Sequence, residues 1–358
     1  MGAPATARTE PQVLIIGGGI AGLASALRVR TLDSACRVTI LDSAARLGGK
    51  IVGEIVDGCV VDGGADVCIG DKLRTTHMFI DLDLESRSIR VNPNELPTYE
   101  LRDGGLQRFP TSFNGELLTF RRGMQEIVDA ACSALDNVTV VTNTPVQSLG
   151  PDHAAWRAES FGGMSYLADA VIVATPAPSA CALLSSVAPH EAAHLHALEY
   201  PSTTTVTMAW RATDVPHALD GTGYLVTDGV TRVSACTWTS SKHPSHARPG
   251  AVLLRGYVRG TGGNPSAVMQ DEVAAVLGIV APPLFTRVYE WSAGTPVYTP
   301  AHESNVRALA ERLVTVPGLF IAGSAFHGIG IPDCIRSGER AAGAAVSYLA
   351  ARRAEEAA

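Results

Sequence analysis

The run VLIIGGGIAGLASALRV, which begins at Val13, constrains this chain's fold more than any other stretch. Residues 13–16 are a short aliphatic run, as a strand buried on both faces requires. Gly17, Gly19 and Gly22 follow at G-x-G-x-x-G spacing, and a helical pattern extends from about Ile20 to Leu32. A second apolar strand, residues 38–41, ends in Asp42, twenty residues beyond Gly22. Together they predict a βαβ unit that holds a dinucleotide. Gly17 allows a tight turn, Gly19 lets the backbone approach a pyrophosphate, and Gly22 lets helix and strand pack closely. The helix N-terminus, with Ile20 and Ala21 in its first turn, offers free N–H groups and a partial positive charge to phosphates. Asp42 can accept hydrogen bonds from a ribose 2′-hydroxyl, which disfavours a 2′-phosphate. This unit alone leaves NAD and FAD open.

Beyond Asp42 come Arg46, Leu47, Gly48, Gly49 and Lys50. Arg46 can neutralise pyrophosphate charge bidentately, and Gly48 and Gly49 let the chain pass close under a cofactor. With these residues the chain resembles the flavin-dependent amine oxidase superfamily. Within it, the chain is most similar to the oxidases that convert protoporphyrinogen or coproporphyrinogen to the porphyrin. The resemblance continues in VDGGADVCI (61–69), IVATPAP (172–178) and SACTWTSSKHP (234–244), and is strongest in LFIAGSAFHGIGIPDCIRSGERAA (319–342). It covers both ends of the chain and most of the middle.

The resemblance implies FAD, held without a covalent bond. Gly64, Ala65, Asp66 and Val67 would flank the flavin, Lys50 would join the cofactor contacts, and the backbone of Val146 would meet the adenine. Gly323 and Ser324 would lie near ribityl or phosphate oxygens. Ile329, Gly330 and Ile331 would open a helix whose N-terminus faces the O2 and N1 edge of the flavin, with Pro332 suited to the first turn. Hydride would leave a substrate C–H next to N or C, and O₂ would take the electrons to give hydrogen peroxide. The pocket candidates are Asp66, Trp238, Tyr298 and His302, and no obligatory general base stands out. Asp66 reads equally as an acceptor for a substrate N–H or as a turn cap. His302 reads as a helix-start or hydrogen-bonding residue, Trp238 as a core residue and Lys242 as a solvated lysine.

The fold class expected is α/β: a discontinuous Rossmann-like FAD-binding domain (1–75, 111–185 and 303–358) and an α+β substrate domain on an antiparallel sheet (76–110 and 186–302). Residues 120–135 read as an amphipathic helix, 137–149 as a strand and turn, and 169–175 as a buried strand. The β-rich runs at 203–210, 223–227, 232–239 and 251–258 build the second sheet. The net charge of −7 over 358 residues argues against a nucleic-acid partner. Seven cysteines without a C-x-x-C pair suggest reduced thiols and a cytoplasmic location. No run of about 18 apolar residues predicts a membrane span, and the first twelve residues carry no signal pattern.

Between Pro110 and Phe120 the resembled oxidases insert a helical subdomain that covers the substrate and docks on membranes; most of it is absent here. A soluble enzyme is therefore expected. It acts on a porphyrinogen or on a smaller heterocyclic or amine intermediate of specialised metabolism, with a homo-oligomer or a partner subunit replacing the missing wall. A flavin-binding protein without catalysis is a further reading. His190, Glu191 and His194 form an H-E-x-x-H pattern with His196 nearby, the signature of a zinc site. The pattern reads instead as a polar surface helix, and no metal is expected.

Overall fold

Alternation of apolar strands with helices at both ends of the chain produces one parallel sheet from segments about 300 residues apart in sequence. In a computed structural model the described residues are 10–91, 96–110, 115–229, 231–260, 263–326 and 328–358, without the side chains of Glu191 and His194. The sheet has five strands in the order Val138–Val141, Arg37–Leu41 (β2), Gln12–Ile16 (β1), Ala170–Val173 and Leu319–Ile321, every pair parallel. Strand order turns about β1, because helix α1 (Ile20–Leu32) leads outward to β2 while the return strands lie on the other side. Such a switch point leaves a crevice at the carboxyl ends of the strands.

Both faces of the sheet are covered, which explains why its strands are apolar without alternation. On one face Val13, Ile15 and Ile40 pack with Leu23 of α1, Ile127 of the helix Gln125–Ser133 and Ile335 of the long helix Ile331–Glu356. Met78, Phe79 and Leu84 join this core, so the chain just beyond residue 75 packs with the parallel sheet. On the other face Leu14 and Ile16 meet Leu183 and Leu309 from the helices Ala177–Leu184 and His302–Leu313. A three-stranded antiparallel sheet, residues Val146–Asp152, Ala155–Ser160 and Ser165–Ala168, closes that face.

A second sheet of seven strands runs Phe285–Trp291, Thr203–Arg211, Ala251–Val258, Val233–Trp238, Gly223–Leu225, Thr98–Arg102 and Gly105–Phe109. One face carries an apolar core of Met208, Trp210, Trp238 and Leu254 under the helix Pro265–Leu277. Strand alternation turns Thr205, Thr207, Arg255 and Tyr257 to the opposite face. That face meets the first sheet's loops, where the Thr205 hydroxyl donates to Gly63 O at 2.7 Å. No helix among the described residues is long and apolar enough to cross a membrane.

One local expectation changes. Residues 120–135 are not a single helix: Phe120 ends the strand Leu117–Phe120, and the helix begins only at Gln125. Between them Gly123 takes φ +79°, where a Cβ would sit 2.6 Å from Asp62 Oδ1. A helix cannot run through a residue held in that conformation.

Candidate cofactor site and the charged cluster beside it

The turn after β1 is as tight as its glycines suggest. Gly17 has φ +103°, and a Cβ on Gly22 would lie 1.9 Å from Gly17 O. Helix α1 starts at Ile20 with no side-chain cap from Gly19 and no acid in its first turn, so the positive end of the helix is uncovered. The second glycine pair closes on this turn: Gly48 N–H donates to Gly18 O at 2.8 Å, and a Cβ on Gly49 would come within 3.1 Å of Gly19 Cα. Arg46 fastens that second loop from outside, donating to the carbonyls of Leu47, Gly49 and Ile51 at 2.7–3.1 Å. Asp42 accepts from Gly18 N–H at 2.7 Å and from Ala44 N–H at 2.7 Å, so it organises the glycine turn as well as standing at the predicted ribose position. Thr144 N–H bonds to Asp42 O, which brings Val146, at the head of its strand, to the same end of the site.

From the other end of the chain, Gly323 lies just past Leu319–Ile321 at φ +121°, and a Cβ there would meet nothing within 4 Å. Ser324 follows, and its carbonyl accepts from the Tyr298 hydroxyl at 2.5 Å. The same hydroxyl accepts from Gly328 N–H at 3.0 Å. His302 is buried, opens the helix His302–Leu313, stacks on the Tyr298 ring at 3.7 Å and bonds Phe326 O through Nε2 at 3.0 Å. Gly330 gives the long helix no side-chain cap, Ile331 begins it, and Ile329 is 52% exposed just before it. Both uncapped helices follow carboxyl ends of the parallel sheet and are clamped together, since a Cβ on Gly338 would strike Ala21 O at 2.1 Å.

The segment at 64–67 lies between these loops and the seven-stranded sheet. A Cβ on Gly64 would meet Lys50 O at 1.9 Å, and Gly63 O accepts from both Thr205 and Trp291. Ala65 is exposed and Val67 half-buried, whereas Asp66 between them is buried. Lys50 reaches across to donate to Gly294 O and lies over the Tyr200 ring, 5.2 Å from its centroid; burial pushes its ammonium pKa down.

Two sequence readings are corrected by the surroundings of Asp66. Lys242 is not a solvated lysine: its side chain is 15% exposed and its ammonium lies 2.8 Å from Asp66 Oδ2. Asp66 is not a turn cap either. Its carboxylate also meets His243 Nε2 at 3.3 Å and Arg255 Nη1 at 4.0 Å, with Arg255 only 3% exposed. Burial by itself would raise the Asp66 carboxyl, but the charges of Lys242 and Arg255 outweigh it and hold it well below the usual carboxylate range. Burial lowers His243 and His246, so both imidazoles are neutral near pH 7. Asp62, four residues before Asp66, is pushed up to about 7 by burial, against the pull of its bond from Met124 N–H. Arg255 Nε and Nη1, His243 Nδ1, His246 Nδ1 and Thr207 Oγ1 are buried without a hydrogen-bond partner. Trp238 is fully buried against Tyr99 and His217 on the far face of the seven-stranded sheet, away from this cluster.

The cluster was visible in sequence only as fragments. Lys242 and His243 stand in SSKHP, and Arg255 is the one charged residue in the apolar strand AVLLRGYV. His190 and His196 are exposed on the helix Pro189–His196, and the Glu191 and His194 side chains lie outside the described residues.

A family model for flavin containing amine oxidoreductases matches residues 105–346, and one for NAD(P)-binding Rossmann-like domains matches residues 15–82. The chain is 30% identical over 258 residues to a coproporphyrinogen III oxidase of Bacillus subtilis, covering 69% of this chain and 54% of that protein. It is 32% identical over 235 residues to the coproporphyrinogen III oxidase of Propionibacterium freudenreichii, covering 63% and 44%. The chain thus spans about half the length of the curated relatives it matches. Among solved structures, a putative protoporphyrinogen oxidase from Exiguobacterium superposes with a TM-score of 0.84 at 20% identity, covering 95% of this chain and 99% of that one. A putrescine oxidase bound to putrescine superposes at 0.67 and 13% identity, covering 94% and 99%. The two superpositions show a shared fold.

Proposed function

The chain belongs to the flavin containing amine oxidoreductase family, and on that premise we propose that it is an FAD-dependent oxidase that desaturates a C–C or C–N bond of a small-molecule substrate and passes the electrons to O₂. One observation carries the reading: the glycine-bearing turns at Gly17, Gly22, Gly48, Gly49, Gly64, Gly323, Gly328 and Gly330, distant in sequence, converge with two uncapped helix N-termini at the carboxyl ends of one parallel sheet.

The residues present fit FAD. The N-termini at Ile20 and Ile331 suit its phosphates and the electron-rich edge of its ring. The space beside Gly323 leaves room for backbone contact with the cofactor, and the packed Gly19 and Gly49 bring two loops together with no side chain between them. Asp42 and Val146 suit its ribose and adenine end. When bound, FAD supplies two-electron oxidation of a substrate C–H. The protein's own part is to bind, orient and exclude water. Tyr298 and His302 form a stacked aromatic wall beside Ser324 and Gly328, and Lys50 is a desolvated cation next to Tyr200. Asp66 is already occupied by Lys242 and His243, which disfavours it as the acceptor for a substrate N–H.

The strand Gly105–Phe109 is followed almost at once by Leu117–Phe120, which leaves no room for an inserted helical wall. A porphyrinogen is the substrate class that the sequence likeness favours, and the short connection favours a smaller heterocycle or amine. Purified protein incubated with FAD, then mixed anaerobically with coproporphyrinogen III or with a panel of cyclic and linear amines, separates the two. Flavin bleaching by a donor, followed by peroxide release in air, is the expected result. A colourless protein that takes up no FAD would overturn the reading.

A further inference from the structure

Asp66 is gripped by more positive charge than one carboxylate neutralises. Lys242 and Arg255 both face it; the adjacent imidazoles are neutral, and the neighbouring Asp62 carboxyl, which feels both cations, is pushed toward its protonated form by burial. The backbone of the same turn is held independently, by Thr205 and Trp291 at Gly63 and by the carbonyl of Lys50 against Gly64. Of the three residues 65–67 only Asp66 is buried, Ala65 being exposed and Val67 half-buried. A segment so fixed on one side presents its other side with little freedom.

We propose that Lys242 is a positioning residue: with Arg255 it holds Asp66, and through Asp66 the turn 64–67, between the seven-stranded sheet and the cofactor, and its ammonium stands as a positive charge behind that turn. The inference rests on the FAD reading above and goes beyond it by naming what sets the turn and its charge.

The cluster's energetics are asymmetric. Removing the Lys242 charge leaves Asp66 paired with Arg255. Removing the Asp66 charge leaves two buried cations with only Asp62, a carboxyl that burial pushes toward its protonated form, as counter-ion, which is the costlier state. A reduced flavin is more negative than an oxidised one, so the Lys242 cation behind its turn favours reduction.

The test uses wild-type protein, Lys242→Met, Lys242→Gln, Lys242→Arg and Asp66→Asn. Thermal unfolding of the FAD-free proteins should show a larger drop in midpoint for Asp66→Asn than for either neutral Lys242 variant. In the FAD-loaded proteins, Lys242→Met and Lys242→Gln should lower the flavin midpoint potential, change its visible circular dichroism and weaken FAD binding about tenfold. Lys242→Arg should restore all three. The proposal is overturned if the neutral variants keep the wild-type potential and dichroism, if Lys242→Arg behaves like them, or if Asp66→Asn is no less stable than Lys242→Met. Wild-type protein that binds no FAD would defeat the function proposed above, and the unfolding comparison would still test the cluster.

Discussion

The hydroxyl of Tyr298 accepts the backbone N–H of Gly328 at 3.0 Å, and it donates at the same time to Ser324 O at 2.5 Å. One side chain from the segment after the seven-stranded sheet thus closes the loop that runs from the last parallel strand to the long C-terminal helix. Tyr298→Phe keeps the ring that stacks on His302 and deletes both bonds. At about 1 kcal/mol for each neutral bond, the expected result is a modest loss of stability and FAD affinity about tenfold weaker. Titration of the FAD-free protein by flavin fluorescence checks this. Wild-type affinity in the variant would show that the loop is set by other contacts.

Gly323 separates backbone strain from cofactor contact. Its φ of +121° is costly for any other residue, and a Cβ there would reach open space. Gly323→Ala should therefore cost FAD-free protein about 1–3 kcal/mol through strain alone. Its FAD affinity should fall well beyond that, because the added methyl enters the space assigned to the cofactor. Calorimetry of the FAD-free and loaded variant reads both quantities. Equal losses in the two forms would mean that the space beside Gly323 is not the cofactor's.

The parallel sheet and its glycine turns were legible because each rests on a local rule. Residues 13–16 need two covered faces, Gly17 a positive φ and Gly22 a close backbone, and each demand leaves a residue type at a fixed offset. The Asp66 cluster was not legible, because its members come from positions 66, 242, 243 and 255 and meet only when the second sheet closes on the first. Pairing across such separations leaves no period in the sequence. The break at Gly123 was missed for a related reason. Whether a lone glycine interrupts or leads a helix depends on what crowds it, and here Asp62 does, from sixty residues away.

Arg46 was expected to act on a pyrophosphate, and the structure shows it bonded to the carbonyls of its own loop. These roles are compatible, since a guanidinium has five donors. Arg46→Ala should weaken FAD binding about tenfold and lower the unfolding midpoint of FAD-free protein only modestly, because the side chain is exposed although it holds three carbonyls of its loop. Arg46→Lys should not restore affinity, because an ammonium cannot bridge several acceptors in one plane. Unchanged affinity in Arg46→Ala would remove Arg46 from the cofactor site.

Asp62 gives the fold a definite pH signature. Its Oδ1 accepts from Met124 N–H at 2.8 Å, and Oδ2 lies 4.0 Å from His246 Nδ1. Burial raises its carboxyl from 3.8 to about 7, with the negative charge of Asp66 acting in the same direction. A raised acid binds its proton more tightly in the folded state than in the unfolded one. Its contribution to stability is therefore complete below about pH 4, is lost as pH rises toward 7, and stays lost above. The neutral His243 and His246 oppose this trend, because folded-state values below 6.5 make them lose stability as pH falls. The wild-type profile is thus flattened, and the difference from a variant is the quantity to read. Asp62→Asn keeps an acceptor for Met124 N–H and cannot ionise. It should match wild type near pH 4 and exceed it at pH 8 by on the order of 2–4 kcal/mol. Denaturant unfolding of both proteins at pH 4.5, 6 and 8 measures this, and an Asp62→Asn protein no more stable than wild type at pH 8 would place the ionisation elsewhere.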